Sequence, residues 1–247
     1  MNVSKLSKII HPSAWTLDSL IEQASQWVYQ LTADDILELD CALQKIKSQK
    51  LLVPSFGKED FPIPKLAKKL ASYIKNLNSG LGIFNIKGFP ADKYSKDQAS
   101  AIFWGIGSYV GKPWQQNMRG HVLGDVINEE RDLSDPTARG YQTNAKLSMH
   151  TDGADIVSLL CLKQAPEGGE FQTSSAVSAF NKVLESNPEA AQHLLNTEYC
   201  IDWRGEEQLG ETPYHKAPLF KLMGKELTCF NLLAYVHSAQ RFDDVPR

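Results

Sequence analysis

A histidine and an aspartate stand two residues apart in the middle of the chain, within Leu147–Gly153. In an extended backbone, residues i and i+2 point to the same side, so the side chains of His150 and Asp152 can converge on one cation. A neutral imidazole and a carboxylate suit Fe(II), and three such ligands on one octahedral face leave positions open for a cosubstrate and O2. The spacing predicts two metal ligands, although a surface histidine beside a solvated aspartate would give the same pattern.

The segments around this pair predict mainly β-structure. An apolar run at Ile156–Leu162 predicts a buried strand, and Pro166–Gly169 predicts a turn after it. Two strands at Pro218–Met223 and Glu226–Leu233, joined by a Gly-Lys pair, predict a hairpin. Residues 111–147 have little periodicity, and long irregular stretches inside compact domains are often functional. We therefore expect 111–147 to border a concave site that holds both predicted ligands near the mouth of a β-sandwich.

Helices are predicted mostly in the first third of the chain. Apolar residues recur there at helical spacing, and hydroxyl residues that can cap a helix precede three of the stretches. A short β-rich segment, Leu81–Ile86, interrupts them. The predicted helices begin after Thr16, Thr32 and Ser95 and also cover Leu66–Leu77, Ala176–Glu185 and Pro188–Asn196.

Composition excludes several classes of function. The 247 residues include 26 basic and 29 acidic side chains, with no basic stripe that would suggest nucleic-acid binding. The N-terminus lacks the apolar region of a signal peptide, and no apolar run is long enough to span a membrane. The cysteines show no paired spacing and are expected to be small buried hydrophobes in a reduced, cytoplasmic protein; they are Cys41, Cys161, Cys200 and Cys229.

Several motifs occur in an order that is known from one family. Gly140–Asn144 precedes the His-Thr-Asp triplet, and an apolar segment and Ala165–Glu170 follow it. Gly88–Pro90 and Gly120–Gly124 lie upstream, and Ser238–Phe242 lies near the end. This order resembles the taurine-dioxygenase-like (TauD/TfdA) family of Fe(II)- and 2-oxoglutarate-dependent oxygenases, and the likeness covers most of the chain.

The resemblance implies both a fold and an activity. The fold would be α+β, a single oxygenase-like domain over 1–247 in which a helical layer (1–78) precedes a double-stranded β-helix, or jelly-roll, core (79–247). The activity would use Fe(II), 2-oxoglutarate and O2 to hydroxylate or otherwise oxidise a small organic substrate, releasing succinate and CO2. Tyr141 and Asn144, just ahead of the triplet, would face that substrate, or they would satisfy backbone groups of the loop.

The chain also departs from the family pattern. A distal histidine and an arginine that binds 2-oxoglutarate follow the segment corresponding to Ser238–Arg247 in this family. We therefore expect the closing strands, the third iron ligand and that arginine to be missing, with weak iron binding, little turnover and self-association through an open sheet edge. His237, ten residues before Arg247, is an alternative third ligand. His121 would line the site or pack, and Phe171 replaces a hydroxyl residue that contacts the cosubstrate in many relatives.

This departure from the family pattern leaves three hypotheses about function. The chain is an oxygenase, or a truncated or catalytically dead relative that acts as a binding protein, or a protein whose site a second chain completes. The substrate is not identifiable, because specificity in such folds resides in loops.

Overall fold

The computed structural model describes residues 6–117, 120–132, 134–135, 137–207, 210–224 and 226–246. The chain divides into two compact units, which are described separately below. The helical unit comprises His11–Trp114 and Ser158–Phe171, and the mixed unit comprises Met1–Ile10, Gln115–Val157 and Gln172–Arg247. The first contains five α-helices, one 3-10 helix and one pair of short strands among its described residues, and the second combines helices with two antiparallel pairs, so the fold is α+β.

Helix capping organises the helical unit. Thr16, Thr32 and Ser95 each form a reciprocal capping box, which confirms all three predicted helix starts. The helices are α1 (Leu17–Glu22), α2 (Ala24–Trp27), α3 (Ala33–Ser48), α4 (Pro64–Ser79) and α5 (Lys96–Val110). Strand β1 (Val28–Gln30) pairs in parallel with β2 (Asn85–Lys87).

The core of the helical unit lies between α3, α4 and α5. Leu39, Leu66 and Ile102 have no exposed surface, and they come from the three helices in turn. Asp35 is also buried here, and its carboxylate accepts bonds from Lys69 and from Tyr29. Burial alone would raise the pKa of Asp35, but these bonds and those from the Thr32 cap lower it well below its usual value.

The mixed unit is built from short elements. Helices α6 (Ala176–Ser186) and α7 (Pro188–Asn196) agree with the predicted pair, and α8 (Leu233–Ala239) follows near the end. Strand β3 (Glu198–Asp202) pairs antiparallel with β4 (Tyr214–Pro218), and β5 (Phe220–Met223) pairs with β6 (Glu226–Cys229). The last pair confirms the predicted hairpin, whose Lys225 lies outside the described residues, although its second strand ends at Cys229 and α8 replaces the expected continuation.

Other expectations differ from the structure. Ile156–Leu162 forms no strand, because no neighbouring described strand completes a ladder with it. Its Val157 and Leu159 side chains are 50% and 56% exposed rather than buried. Within the expected Leu81–Ile86 region only Asn85 and Ile86 belong to a strand, β2. Gly82 has a φ of +74°, which interrupts extended structure before them. Cys41 and Cys161 are exposed rather than buried.

The described strands form three two-stranded sheets. The α+β class is therefore confirmed, while the jelly-roll core and the single domain stay predictions. No helix in the described part of the chain has both the length and the apolar character needed to cross a membrane.

Asp202, at the end of β3, is a buried carboxylate that gathers several donors of the mixed unit. Arg241 donates to both of its oxygens, at 3.0 and 3.2 Å, and Ser238 donates to it at 2.5 Å. The Arg204 N–H adds a further bond at 2.8 Å. Burial would raise the pKa of Asp202, but the bonds from Arg241, Ser238 and Arg204 outweigh it, so the pKa lies below its ordinary value.

The Arg204 guanidinium continues this network into the segment before the His-x-Asp pair. It donates to the carbonyl of Asp135 at 2.7 Å and to that of Ala138 at 3.1 Å, and it reaches Ser238 Oγ at 3.1 Å. The network therefore holds β3, α8, Asp135 and Ala138 together.

Substitution of alanine for glycine is expected to change stability in opposite directions at two positions of α5. A Cβ on Gly105 would lie 2.4–2.7 Å from three ring atoms of the buried Phe61, whereas one on Gly107 would meet nothing within 4 Å. Alanine favours a helix over glycine by about 1 kcal/mol, while overpacking a core costs about 1–3 kcal/mol. We expect Gly107→Ala to stabilise the protein and Gly105→Ala to destabilise it. Urea denaturation followed by tryptophan fluorescence checks this, and stabilisation by both changes would contradict the packing.

The buried carboxylate predicts a pH-dependent loss of stability. Because the native pKa of Asp202 is depressed, its contribution is present above the unfolded value of about 3.9 and is lost as pH falls through the native pKa. Asp202→Asn should lower the free energy of unfolding at pH 7 by about 2–3 kcal/mol and flatten its decline below about pH 4. Exposed Asp243→Asn is the matched control. Equal stability of the two variants at pH 7 would contradict the role of Asp202.

Candidate metal centre

The structure brings the two predicted ligands together on one side of the chain. His150 Nε2 lies 4.0 Å from Asp152 Oδ1, and both residues belong to the mixed unit. The side chains are 41% and 55% exposed, so the expected concave enclosure is not formed around them. A depression elsewhere in this unit, lined by residues that include Lys216, Lys221 and Phe230, contains neither ligand.

The histidine is held in one tautomer. Its Nδ1 lies 2.7 Å from the main-chain carbonyl oxygen of Ser148. A carbonyl only accepts hydrogen bonds, so Nδ1 carries the proton and donates it. In the neutral ring, Nε2 then keeps its lone pair and faces Asp152. Metal-binding histidines commonly have this second-nitrogen contact, which fixes the ring and its tautomer.

The donor set fits two positions of an iron ion. Nitrogen and oxygen ligands of first-row divalent metals lie about 2.0–2.2 Å from the ion, so neighbouring octahedral donors stand about 3 Å apart. The observed 4.0 Å requires a small approach of two exposed side chains. No group of three or more His, Cys, Asp or Glu side chains placed to hold a metal occurs among the described residues.

The suggested substrate residues lie in the segment that leads to the pair. Tyr141 is in a 3-10 turn, Gly140–Gln142, and is 39% exposed, and Asn144 is exposed as well. The Leu147 side chain occupies the space where a Cβ of Gly140 would be, 2.6 Å from that position. The turn therefore packs against Leu147, three residues before His150, and the expectation that residues 111–147 border the site stays a prediction. A substrate role for Tyr141 and Asn144 stays a prediction.

No other described histidine forms a ligand cluster with the pair. His237 is exposed on α8, His121 is exposed in an irregular segment, and Arg247 lies outside the described residues. Phe171 is 79% exposed. Of the three hydroxyl residues that follow it closely in the chain, Ser175 caps α6 by accepting the Ser178 N–H, and Thr173 and Ser174 are exposed.

One contact of the triplet was not predicted from the sequence. Asn231 follows β6, and its main-chain N–H donates to Thr151 Oγ1 at 2.8 Å, while its carbonyl accepts the Thr151 N–H at 2.9 Å. Its side-chain Nδ2 donates to the Met149 carbonyl at 3.0 Å. Asn231 therefore binds the residues on both sides of His150. No local signal marks it, because it lies 80 residues from Thr151 in the chain.

Comparison with known proteins decides the family. Residues 48–246 match the family described as taurine catabolism dioxygenase TauD, TfdA family, and these residues are most of the chain. The protein belongs to the TauD/TfdA family. This confirms the resemblance that the motifs predicted.

Two curated relatives of this TauD/TfdA chain illustrate the match. It is 34% identical to FR-33289 synthase of Streptomyces rubellomurinus over 217 residues, which cover 85% of the chain and 62% of the relative. It is 26% identical to a taurine hydroxylase-like protein of Stachybotrys chartarum over 210 residues, which cover 82% of the chain and 53% of that relative. The TauD/TfdA chain thus matches between half and two-thirds of the length of each.

The pair predicts how substitutions change metal affinity. His150→Ala and Asp152→Ala each remove a direct ligand, and changes to outer partners alone typically weaken binding 10–100-fold, so we expect a loss of more than about 100-fold. Anaerobic calorimetric titration with Fe(II) measures this. Asp155→Ala, which removes an exposed carboxylate nearby, should bind like the unaltered chain. Unchanged affinity in both ligand variants would rule out the assignment.

Proposed function

We propose that this protein is an Fe(II)- and 2-oxoglutarate-dependent oxygenase that hydroxylates or otherwise oxidises a small organic substrate, consuming O2 and releasing succinate and CO2. The observation that carries the proposal is the placement of His150 Nε2 beside Asp152 Oδ1, with the proton of the ring held on Nδ1. Family membership supports the same chemistry, because the TauD/TfdA proteins use this cofactor and cosubstrate.

The residues of the chain would bind the metal, orient its ligands and contact the substrate. His150 and Asp152 would hold Fe(II), which when bound would supply the activation of O2 for attack on a C–H bond together with 2-oxoglutarate. The Ser148 carbonyl keeps the His150 ring in its binding tautomer. Tyr141 and Asn144, in the segment that packs before the pair, are the proposed substrate contacts.

The fold would serve this site as a frame. The family implies a double-stranded β-helix around its metal, and strands β3–β6 share the mixed unit with the pair. We propose that these strands belong to such a core.

A second candidate is a catalytically inactive relative that binds small molecules. It is favoured by one observation, the finding of two rather than three clustered ligands in the described part of the chain. His237 does not join the pair in this structure, and it becomes the leading candidate for the third ligand only if the chain turns over robustly.

Succinate formation separates the two functions. The assay contains the 247-residue chain, Fe(II), ascorbate and 2-oxoglutarate, and an anaerobic titration follows the charge-transfer band of bound 2-oxoglutarate in parallel. We expect weak succinate formation that His150→Ala reduces to background, because two ligands hold the metal less firmly than three. Asp155→Ala is the matched control.

The other outcomes are informative. Robust turnover that is lost in His150→Ala would show a complete site, and His237→Ala would then test the third ligand. Metal binding with no succinate above background would favour the inactive relative. Succinate formation that is insensitive to His150→Ala would contradict the proposed site.

A further inference from the structure

The triplet that carries the two ligands is fixed from behind by a residue of a distant segment. Three hydrogen bonds join Asn231 to Met149 and Thr151, the two neighbours of His150. We propose that Thr151 and Asn231 are positioning residues that hold His150 in its metal-binding orientation. This inference rests on the proposed function, because it concerns the metal site on which that function depends.

Thr151 joins the ligand pair to Asn231. His150 Nε2 and Asp152 Oδ1 lie 4.0 Å apart, and Thr151, between them in the chain, makes its hydrogen bonds with Asn231. The hydroxyl of Thr151 accepts the Asn231 N–H at 2.8 Å. The middle residue of the triplet therefore links the ligand pair to the rest of the mixed unit.

The support behind Asn231 is ordered secondary structure. Hairpin β5–β6 continues one step further, since the Phe230 N–H donates to the Leu219 carbonyl at 2.8 Å. Asn231 comes next, and α8 begins two residues later. A residue between a paired strand and a helix has little freedom to move, so its hydrogen bonds restrict the segment they reach.

The contacts around His150 are complementary. The Ser148 carbonyl accepts a hydrogen bond from His150 Nδ1, and the Met149 carbonyl accepts one from Asn231 Nδ2. The Thr151 N–H donates to the Asn231 carbonyl, and the Thr151 hydroxyl accepts the Asn231 N–H. The main chain is thus held just before and just after the histidine, and the ring is held by its own second nitrogen. Loss of one of these contacts leaves both ligands present but increases the range of positions that Nε2 explores.

Substitution of the threonine tests the inference directly. Thr151→Val keeps the shape of the side chain and removes the acceptor, whereas Thr151→Ser keeps the acceptor. Loss of a residue that orients a metal ligand without binding the metal typically changes metal affinity 10–100-fold. We therefore expect Thr151→Val to weaken Co(II) binding about 10-fold. Thr151→Ser should bind Co(II) within about twofold of the unaltered chain. Asn231→Ala, which retains the backbone bonds, should give an intermediate loss.

The controls separate positioning from general stability. Thr228→Val removes another threonine hydroxyl bond, to the Lys221 carbonyl in the same hairpin, and should leave Co(II) affinity unchanged. Amide hydrogen exchange of the metal-free protein should show faster exchange at residue 151 in Asn231→Ala, and thermal unfolding reports whether each variant is folded.

Each outcome bears on one of the two proposals. Unchanged Co(II) affinity and amide exchange in Thr151→Val and Asn231→Ala, with affinity lost in His150→Ala, would overturn the positioning role and leave the proposed function standing. Affinity retained in His150→Ala would overturn both. The graded loss described above, with rescue by serine, would establish the role.

Discussion

Asp202 must remain ionised inside the mixed unit, where its side chain has no contact with solvent. An isolated charge in that position would cost several kcal/mol, so the donors around it cannot separate without exposing or protonating it. Arg241 and Ser238 come from the end of α8 and the residues after it, and Arg204 follows β3. One carboxylate therefore ties these elements together, beside the small apolar clusters of this unit.

This constraint extends to the candidate metal centre. Arg204 binds the carbonyls of Asp135 and Ala138, and the next residue, Arg139, donates to the Tyr235 hydroxyl of α8 at 3.0 Å. The turn at Gly140–Gln142 begins immediately afterwards and packs on Leu147. The same helix α8 starts beside Asn231, which holds the triplet. The turn at Gly140–Gln142 and the contact from Asn231 thus both adjoin elements that the buried charge of Asp202 ties together.

The sequence predicts the parts of this protein that depend on local rules. Capping boxes at Thr16, Thr32 and Ser95 mark helix starts because the cap and its partner lie three residues apart. The Gly-Lys pair marks the β5–β6 hairpin because it stands directly between the two strand patterns in the sequence. Strands β3 and β4 pair although residues 203–213 separate them in the chain. Ile156–Leu162 has strand composition but no described partner strand. Periodicity alone predicts neither outcome.

A similar division applies to the candidate site. The period of two in an extended chain predicts that His150 and Asp152 lie on one side, and their Nε2 and Oδ1 atoms lie 4.0 Å apart. The exposure of both side chains and the contact with Asn231 depend on the tertiary arrangement. Ser148 is recognisable only afterwards, because any backbone carbonyl two residues before a histidine could play its part.

The separation of Asn231 from Thr151 also has a consequence for the order in which the chain folds. The hairpin β5–β6 closes a very short loop, and such hairpins form within about 1–10 μs. The contact that holds His150 spans 80 residues, and closing so long a loop has a larger entropic cost. It is expected to form only after the hairpin and α8 are in place. A newly made chain would therefore possess most of its secondary structure before the segments of the candidate site are held together.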